Sequence, residues 1–105
     1  MANPSEKIKQ SNSAKKTVSS LSSTLNILGN VNRLRIFQSL TKHDKLTNQD
    51  IAKILKISNS LAKQHLYKLE AEKLITKRQD GPILYYSLNS HNKKISAIKN
   101  IVEKA

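Results

Sequence analysis

Between Thr47 and Lys73 the chain reads TNQDIAKILKISNSLAKQHLYKLEAEK, where about three residues, Lys56 to Ser58, separate two runs of helical apolar spacing. In the first run Ile51, Ala52, Ile54 and Leu55 form the expected inner face. Thr47 is its N-cap, and Thr-x-x-Asp resembles a capping box with aspartate in place of glutamate. The second run is capped by Ser58 and extends from Asn59 to about Lys73, turning Ala62, Leu66 and Leu69 inward. Two short helices joined by a tight turn, the second opening with small polar residues, form a helix-turn-helix pattern.

The flanking sequence extends this unit. LITKRQ and ILYYSL are rich in β-forming residues and are joined by Gln79-Asp80-Gly81-Pro82, with Asp-Gly the strongest short hairpin signal. Alternation in the second strand puts Leu84, Tyr86 and Leu88 on one face, opposite Ile83, Tyr85 and Ser87. A basic hairpin in this position is a wing. Upstream, Val18, Leu21, Leu25 and Leu28 recur at helical steps, Gly29 suits the helix end and Asn30 caps the next helix. That helix, VNRLRIFQSLTKH, is expected to bury Leu34, Ile36, Phe37 and Leu40 and to keep Arg33 and Arg35 outside. The last run, SHNKKISAIKNIVEKA, carries an Ile95, Ile98, Ile101 and Val102 stripe. The expected fold is mainly α with one small β-hairpin, in the order α-α-α-α-β-β-α. Residues 1–16 read as a disordered basic arm, and residues 17–105 as the folded domain.

Composition narrows the function. The 105 residues hold 19 Lys and Arg against 7 Asp and Glu, a net charge of +12, so a polyanionic partner is expected. Hydrophobic content of 37% leaves room for a core completed by dimerisation. The chain has no cysteine, which excludes disulfides and thiolate metal sites or nucleophiles. No run approaches the roughly 20 apolar residues of a membrane span, and TVSSLSSTLNILG is too interrupted for a secretory signal. A soluble, cytoplasmic protein is expected. There is no glycine-rich phosphate loop, paired-carboxylate site or Ser/His/Asp set, so an enzyme is not expected and no cofactor is implied. His43, His65 and His91 lie on three separate elements, which argues against a shared metal site. His43 reads as a solvated turn residue, and His65 borders the core.

The major groove of DNA presents hydrogen-bonding base edges and thymine methyls. Ser58, Asn59, Ser60, Lys63, Gln64, Tyr67 and Lys68 fall on the side of their helix away from Ala62, Leu66 and Leu69. Small residues at the helix start permit close approach, Asn or Gln can clamp adenine, and Lys reaches guanine or phosphate. In the hairpin, Lys77, Arg78 and Gln79 are placed to follow the backbone or enter the minor groove. Arg33 and Arg35 are candidates for phosphate contact, or for pairing with carboxylates inside the fold. The two terminal stripes, Val18/Leu21/Leu25/Leu28 and Ile95/Ile98/Ile101/Val102, are expected to meet across a two-fold axis as a homodimer. A monomer closing its own core with both helices is the competing arrangement.

The order of elements resembles the ArsR/SmtB family of winged-helix repressors over Leu21 to Leu88, about two-thirds of the chain. LNILGNVNRLRIFQSL resembles the family's opening segment through Arg33-Leu34-Arg35-Ile36. ISNSLAKQHLYKL resembles its recognition helix, with Ser58, Ser60, His65, Leu66 and Leu69 at matching positions. KRQDGPILYYSL carries the basic residue before the turn and the paired tyrosines after it. Val31 stands where the family usually has proline, and Ala62 where it has a larger β-branched residue. The resemblance implies a dimeric, sequence-specific repressor of duplex DNA. Many relatives sense metals through cysteines on the helix matching Asn48–Leu55, or through carboxylate–histidine sets on the last helix. Here LTNQDIA offers no thiolate and the last helix brings lysines after His91, so no metal site is implied and the effector stays open. The alternatives are a less specific architectural DNA-binding protein or a basic RNA-associated protein. The four aromatic residues sit in no RNA-binding motif, which weighs against the latter.

Overall fold

The computed structural model describes residues 12–104. Helices α1 (Asn12–Leu28), α2 (Val31–Lys42), α3 (Asn48–Leu55) and α4 (Asn59–Ala71) precede strands β1 (Ile75–Asp80) and β2 (Ile83–Leu88) and a last helix, α5 (Lys94–Lys104). Helix α1 begins at Asn12, ahead of the expected start at Thr17. The remainder of the expected basic arm, residues 1–11, lies outside the described residues.

The ends of the helices follow local chemistry. Asn30 Oδ1 accepts from the backbone N–H groups of Asn32 at 2.9 Å and Arg33 at 3.1 Å, starting α2. The capping box of α3 is complete: Asp50 N–H donates to Thr47 Oγ1 at 3.1 Å and Thr47 N–H donates to Asp50 Oδ2 at 3.0 Å. Lys56 then takes a left-handed conformation at φ 58°, and Ile57 N–H reaches back to the Ala52 carbonyl at 3.0 Å. The chain is thereby turned for Ser58, whose Oγ accepts from Leu61 N–H at 3.1 Å and opens α4. Lys73, at φ 62°, turns the chain out of α4 and into β1. Gly29 ends α1 for another reason than a left-handed turn: a Cβ there would lie 3.2 Å from the Leu25 carbonyl oxygen.

The two strands pair antiparallel from Ile75 opposite Leu88 to Asp80 opposite Ile83. The connecting loop is therefore Gly81-Pro82 alone. Gly81 has φ +58°, and proline cannot take a positive φ in the second place, so the turn is of type II′. Leu46 adds a one-residue third strand, its N–H donating to the Tyr86 carbonyl at 3.0 Å and its carbonyl accepting from Tyr86 N–H at 2.8 Å.

The core gathers Ile36 and Phe37 from α2, Ile51 from α3, Ala62, Leu66 and Leu69 from α4, and Leu74 and Ile75 at the start of the wing, all essentially inaccessible to water. Tyr86 is buried, and Leu84 and Leu88 pack against the cluster on the predicted face of β2. Two expected core residues are exposed instead, Leu34 on α2 and Ile54 on α3. Each sits at the margin of its apolar face, and Arg35 crosses between their helices to bond the Leu55 and Ile54 carbonyls at 3.4 and 3.5 Å.

Candidate nucleic-acid interface

Helix α4 is fixed from behind and open in front. Ala62, His65, Leu66 and Leu69 are buried, while Ser58, Asn59, Ser60, Lys63, Gln64, Tyr67 and Lys68 are all exposed. Tyr67 is 73% accessible, unusual for a residue that can bury a large ring. Nothing among the described residues covers this face.

The register of α4 is set by polar contacts as well as packing. Arg33 donates from Nε to the Ile27 carbonyl at 2.6 Å, and its Nη1 lies 3.4 Å from His65 Nδ1. Burial, then the positive charges of Arg33 and Lys68, hold the His65 pKa below its ordinary value of 6.5. The neutral ring accepts from Arg33 through Nδ1, which leaves its proton on Nε2. At the other end, Asn48 Nδ2 donates to the Asn59 carbonyl at 3.1 Å, tying the first turn of α3 to the first residue of α4. Asn48 Oδ1 is buried and has no hydrogen-bond partner among the described residues.

The wing stands beside this helix. A cleft of about 360 Å³ separates them, lined by Asn48 and Gln49 of α3, Lys63 of α4, and Pro82, Ile83 and Tyr86 of the hairpin side. Asn48 and Gln49 were not among the sequence candidates. Their signal was the capping box at Thr47, which fixes where α3 begins, while the Asn48–Asn59 bond holds that turn against α4. Of the wing candidates, Arg78 and Gln79 are exposed, and Gln79 Nε2 braces the turn by donating to the Gly81 carbonyl at 2.8 Å. Lys77 is exposed but bridges to Glu70 at 3.4 Å, which fastens the hairpin to α4. Lys45 lies over the Tyr85 ring, 4.2 Å from its centroid, opposite Arg78 in the ladder.

Arg33 and Arg35 turn out to bond carbonyl oxygens rather than carboxylates. Arg33 is half-buried and committed to Ile27 and His65. Arg35 is exposed and bonds the last carbonyls of α3, where a cation also suits the negative end of the helix dipole.

The terminal stripes divide. Val18 (66%), Leu25 (55%) and Ile101 (70%) are open to solvent, and Leu21 is also exposed. Leu28, Ile95, Ile98 and Val102 are buried in the chain's own core instead. Helix α5 packs on α2, so most of its stripe is buried within one chain. His43 and His91 are exposed, and no group of three or more potential metal ligands occurs among the described residues. No helix among the described residues is long and apolar enough to cross a membrane.

Comparison with known proteins fits this geometry. Residues 30–76 match a family described as winged helix-turn-helix DNA-binding. Over 66 residues the chain is 38% identical to the transcriptional repressor PagR of Bacillus anthracis, spanning 63% of this chain and 64% of PagR, a little under two-thirds of that relative. The crystal structure of PagR superposes with a TM-score of 0.73 at 28% identity, covering 84% of this chain and 98% of PagR. Reduced HlyU of Vibrio cholerae shares the fold, with a TM-score of 0.78 at 23% identity over 88% of this chain and 94% of that one. So does Mb0332 of Mycobacterium bovis, described as a homodimeric winged helix-turn-helix DNA-binding domain and a possible ArsR-family regulator. Its TM-score is 0.75 at 20% identity, over 99% of this chain and 88% of that one.

Proposed function

From the premise that this chain is a winged helix-turn-helix protein of the ArsR/SmtB type, we propose that it is a dimeric, sequence-specific regulator of transcription that represses by occupying duplex DNA. One observation carries the reading: a helix rigidly seated by its apolar side presents Ser58, Asn59, Ser60, Lys63, Gln64, Tyr67 and Lys68 uncovered, next to a basic hairpin. In the major groove Asn59 and Gln64 are the base readers, because a carboxamide offers the donor and acceptor that adenine requires. Lys63 and Lys68 neutralise phosphate or reach guanine. The Tyr67 ring provides apolar contact to a thymine methyl or a sugar.

The wing contributes Arg78 and Gln79 at the backbone or in the minor groove. Lys77 contributes less, since Glu70 already offsets its charge. Arg33 and Arg35 act mainly inside the fold. Two copies associate through Val18, Leu21 and Leu25 of α1, joined by Ile101 of α5, because these are the apolar side chains of the two terminal helices that one chain leaves uncovered. We place the protein in the cytoplasm, with duplex DNA and a second copy as its partners. With no cysteine in the chain, its release from DNA does not run through thiolate metal binding.

Selection of bound sequences from random duplex DNA tests the proposal. The expected product is an inverted repeat whose half-sites lie about one helical turn apart, roughly 34–36 Å. Recovery of sequences with no common motif would reduce the role to architectural binding.

A further inference from the structure

We propose that the junction of α1 with the start of α5 is a binding site for a compact dianion, a phosphomonoester or a dicarboxylate, which loosens the hold of α1 on the recognition helix. The proposal rests on the DNA-binding reading above only for its regulatory half. A cleft of about 410 Å³ opens here, lined by Lys16, Ser20 and Leu21 of α1 and by Asn92, Lys93 and Lys94. Its lining holds lysines and no carboxylate. Lys94 is half-buried, and its ammonium gives hydrogen bonds to neutral oxygens only: Ser20 Oγ at 2.7 Å, Thr24 Oγ1 at 2.8 Å and the Ser20 carbonyl at 3.3 Å. None of Lys16, Lys93 and Lys94 has an ion-pair partner among the described residues. Positive charge thus converges on a concave surface beside hydroxyl groups, and among the described residues the nearest carboxylate, Glu72, stands behind Thr24 rather than in the cleft. A dianion has the charge and acceptor atoms to engage several of these ammonium groups at once.

The same atoms lead to α4. Thr24 is completely buried, and its Oγ1 has one hydrogen for two acceptors, the Ser20 carbonyl at 3.1 Å and Glu72 Oε1 at 3.4 Å. Glu72 caps the C-terminal end of α4. A dianion that draws Lys94 into the cleft removes a donor from the Ser20 carbonyl. The Thr24 hydroxyl then turns to that carbonyl and leaves Glu72. Occupancy of the cleft thereby weakens the link between α1 and the end of the helix that faces DNA.

The full chain is titrated with inorganic phosphate and, separately, with succinate, while chloride holds ionic strength constant and backbone amides are followed by NMR. Saturable shifts at Ser20, Thr24, Lys93, Lys94 and Glu72 are expected. The better of the two probes identifies the ester or the dicarboxylate as the ligand class. The double variant Lys16→Gln, Lys93→Gln should keep the melting curve and bind the probe at least about tenfold more weakly. Duplex affinity should fall when the probe saturates the wild type, and should not respond in Thr24→Val, which still binds the probe. Shifts spread evenly over all lysines, Lys63 included, would mean an adventitious ion only and overturn the site. Loss of duplex affinity in the double variant without any probe, as large as that of Lys63→Gln, would assign the cleft to DNA and overturn it too. Site-specific probe binding without any change in duplex affinity would overturn the regulatory half. Site-specific binding in a chain that held no duplex would sink the function proposed above and leave the site standing.

Discussion

Helices α1 and α4 are built in opposite senses. Helix α4 buries Ala62, Leu66 and Leu69 and shows water its amides, hydroxyls and lysines. Helix α1 hides a threonine, Thr24, and its last residue, Leu28, and shows water Val18, Leu21 and Leu25. The first arrangement is stable in one chain, since the hydrophobic term is already gained and the open face needs only a partner with hydrogen bonds and negative charge. The second leaves apolar area in water until another apolar surface covers it. The difference supports the proposal of two partners, a polyanion for α4 and a second copy for α1. The α5 stripe, by contrast, lies mostly in the chain's own core.

The largest expected effect separates the two stripes. Ile98→Glu puts an unpaired carboxylate into the core of one chain and should cost several kcal/mol, enough to abolish cooperative melting. Leu25→Glu places the same charge on the open face of α1, so the chain should melt normally and sediment as a monomer. Circular dichroism and sedimentation on both variants read this directly, and a Leu25→Glu dimer would remove α1 from the seam.

Next in size is the reading of bases by α4. Gln64→Ala should cost about 1–3 kcal/mol at one operator position and relax preference there, with the fold unchanged. Lys77→Ala should weaken all sequences alike and only slightly, given its bridge to Glu70. Equal losses on every sequence for Gln64→Ala would turn that residue into a positioning group.

The smallest effect concerns the seat of α4. His65 has its pKa lowered in the folded chain, so below 6.5 the unfolded state takes up a proton that the folded state resists. Its contribution to stability is complete above 6.5 and declines as pH falls from there toward the folded pKa. Urea melts between neutral and mildly acidic pH should show this decline, and His65→Gln should flatten it. A His65→Gln chain with the wild-type pH slope would place the titrating group elsewhere.

How far the sequence reveals this molecule depends on the range of the interactions involved. Caps and turns were legible because Asn30, Thr47-Asp50, Ser58 and Gly81 act on their own neighbours. The outer face of α4 was legible for the same reason, since helical spacing separates it from Ala62, Leu66 and Leu69. Spacing says which side of a helix is apolar but not what covers it. Leu34 and Ile54 are therefore exposed, and the α5 stripe is shared out with α2 in a way that only the packed chain decides. Arg33 and Arg35 were the hardest to place, because guanidinium groups of that reach can serve a phosphate, a carboxylate or, as here, a carbonyl. Lys94 had no role in the sequence reading at all, as its partners Ser20 and Thr24 lie at the other end of the chain.

The central claim is that the open face of α4 reads duplex sequence while positive charge supplies affinity. Its most direct test is one titration of the dimer against the selected operator and against a scrambled duplex of equal length, repeated over a range of salt. The account predicts that both affinities fall steeply with salt through counterion release, and that the operator is favoured by roughly 10³-fold or more. Equal affinity for the two duplexes at every salt concentration would contradict it.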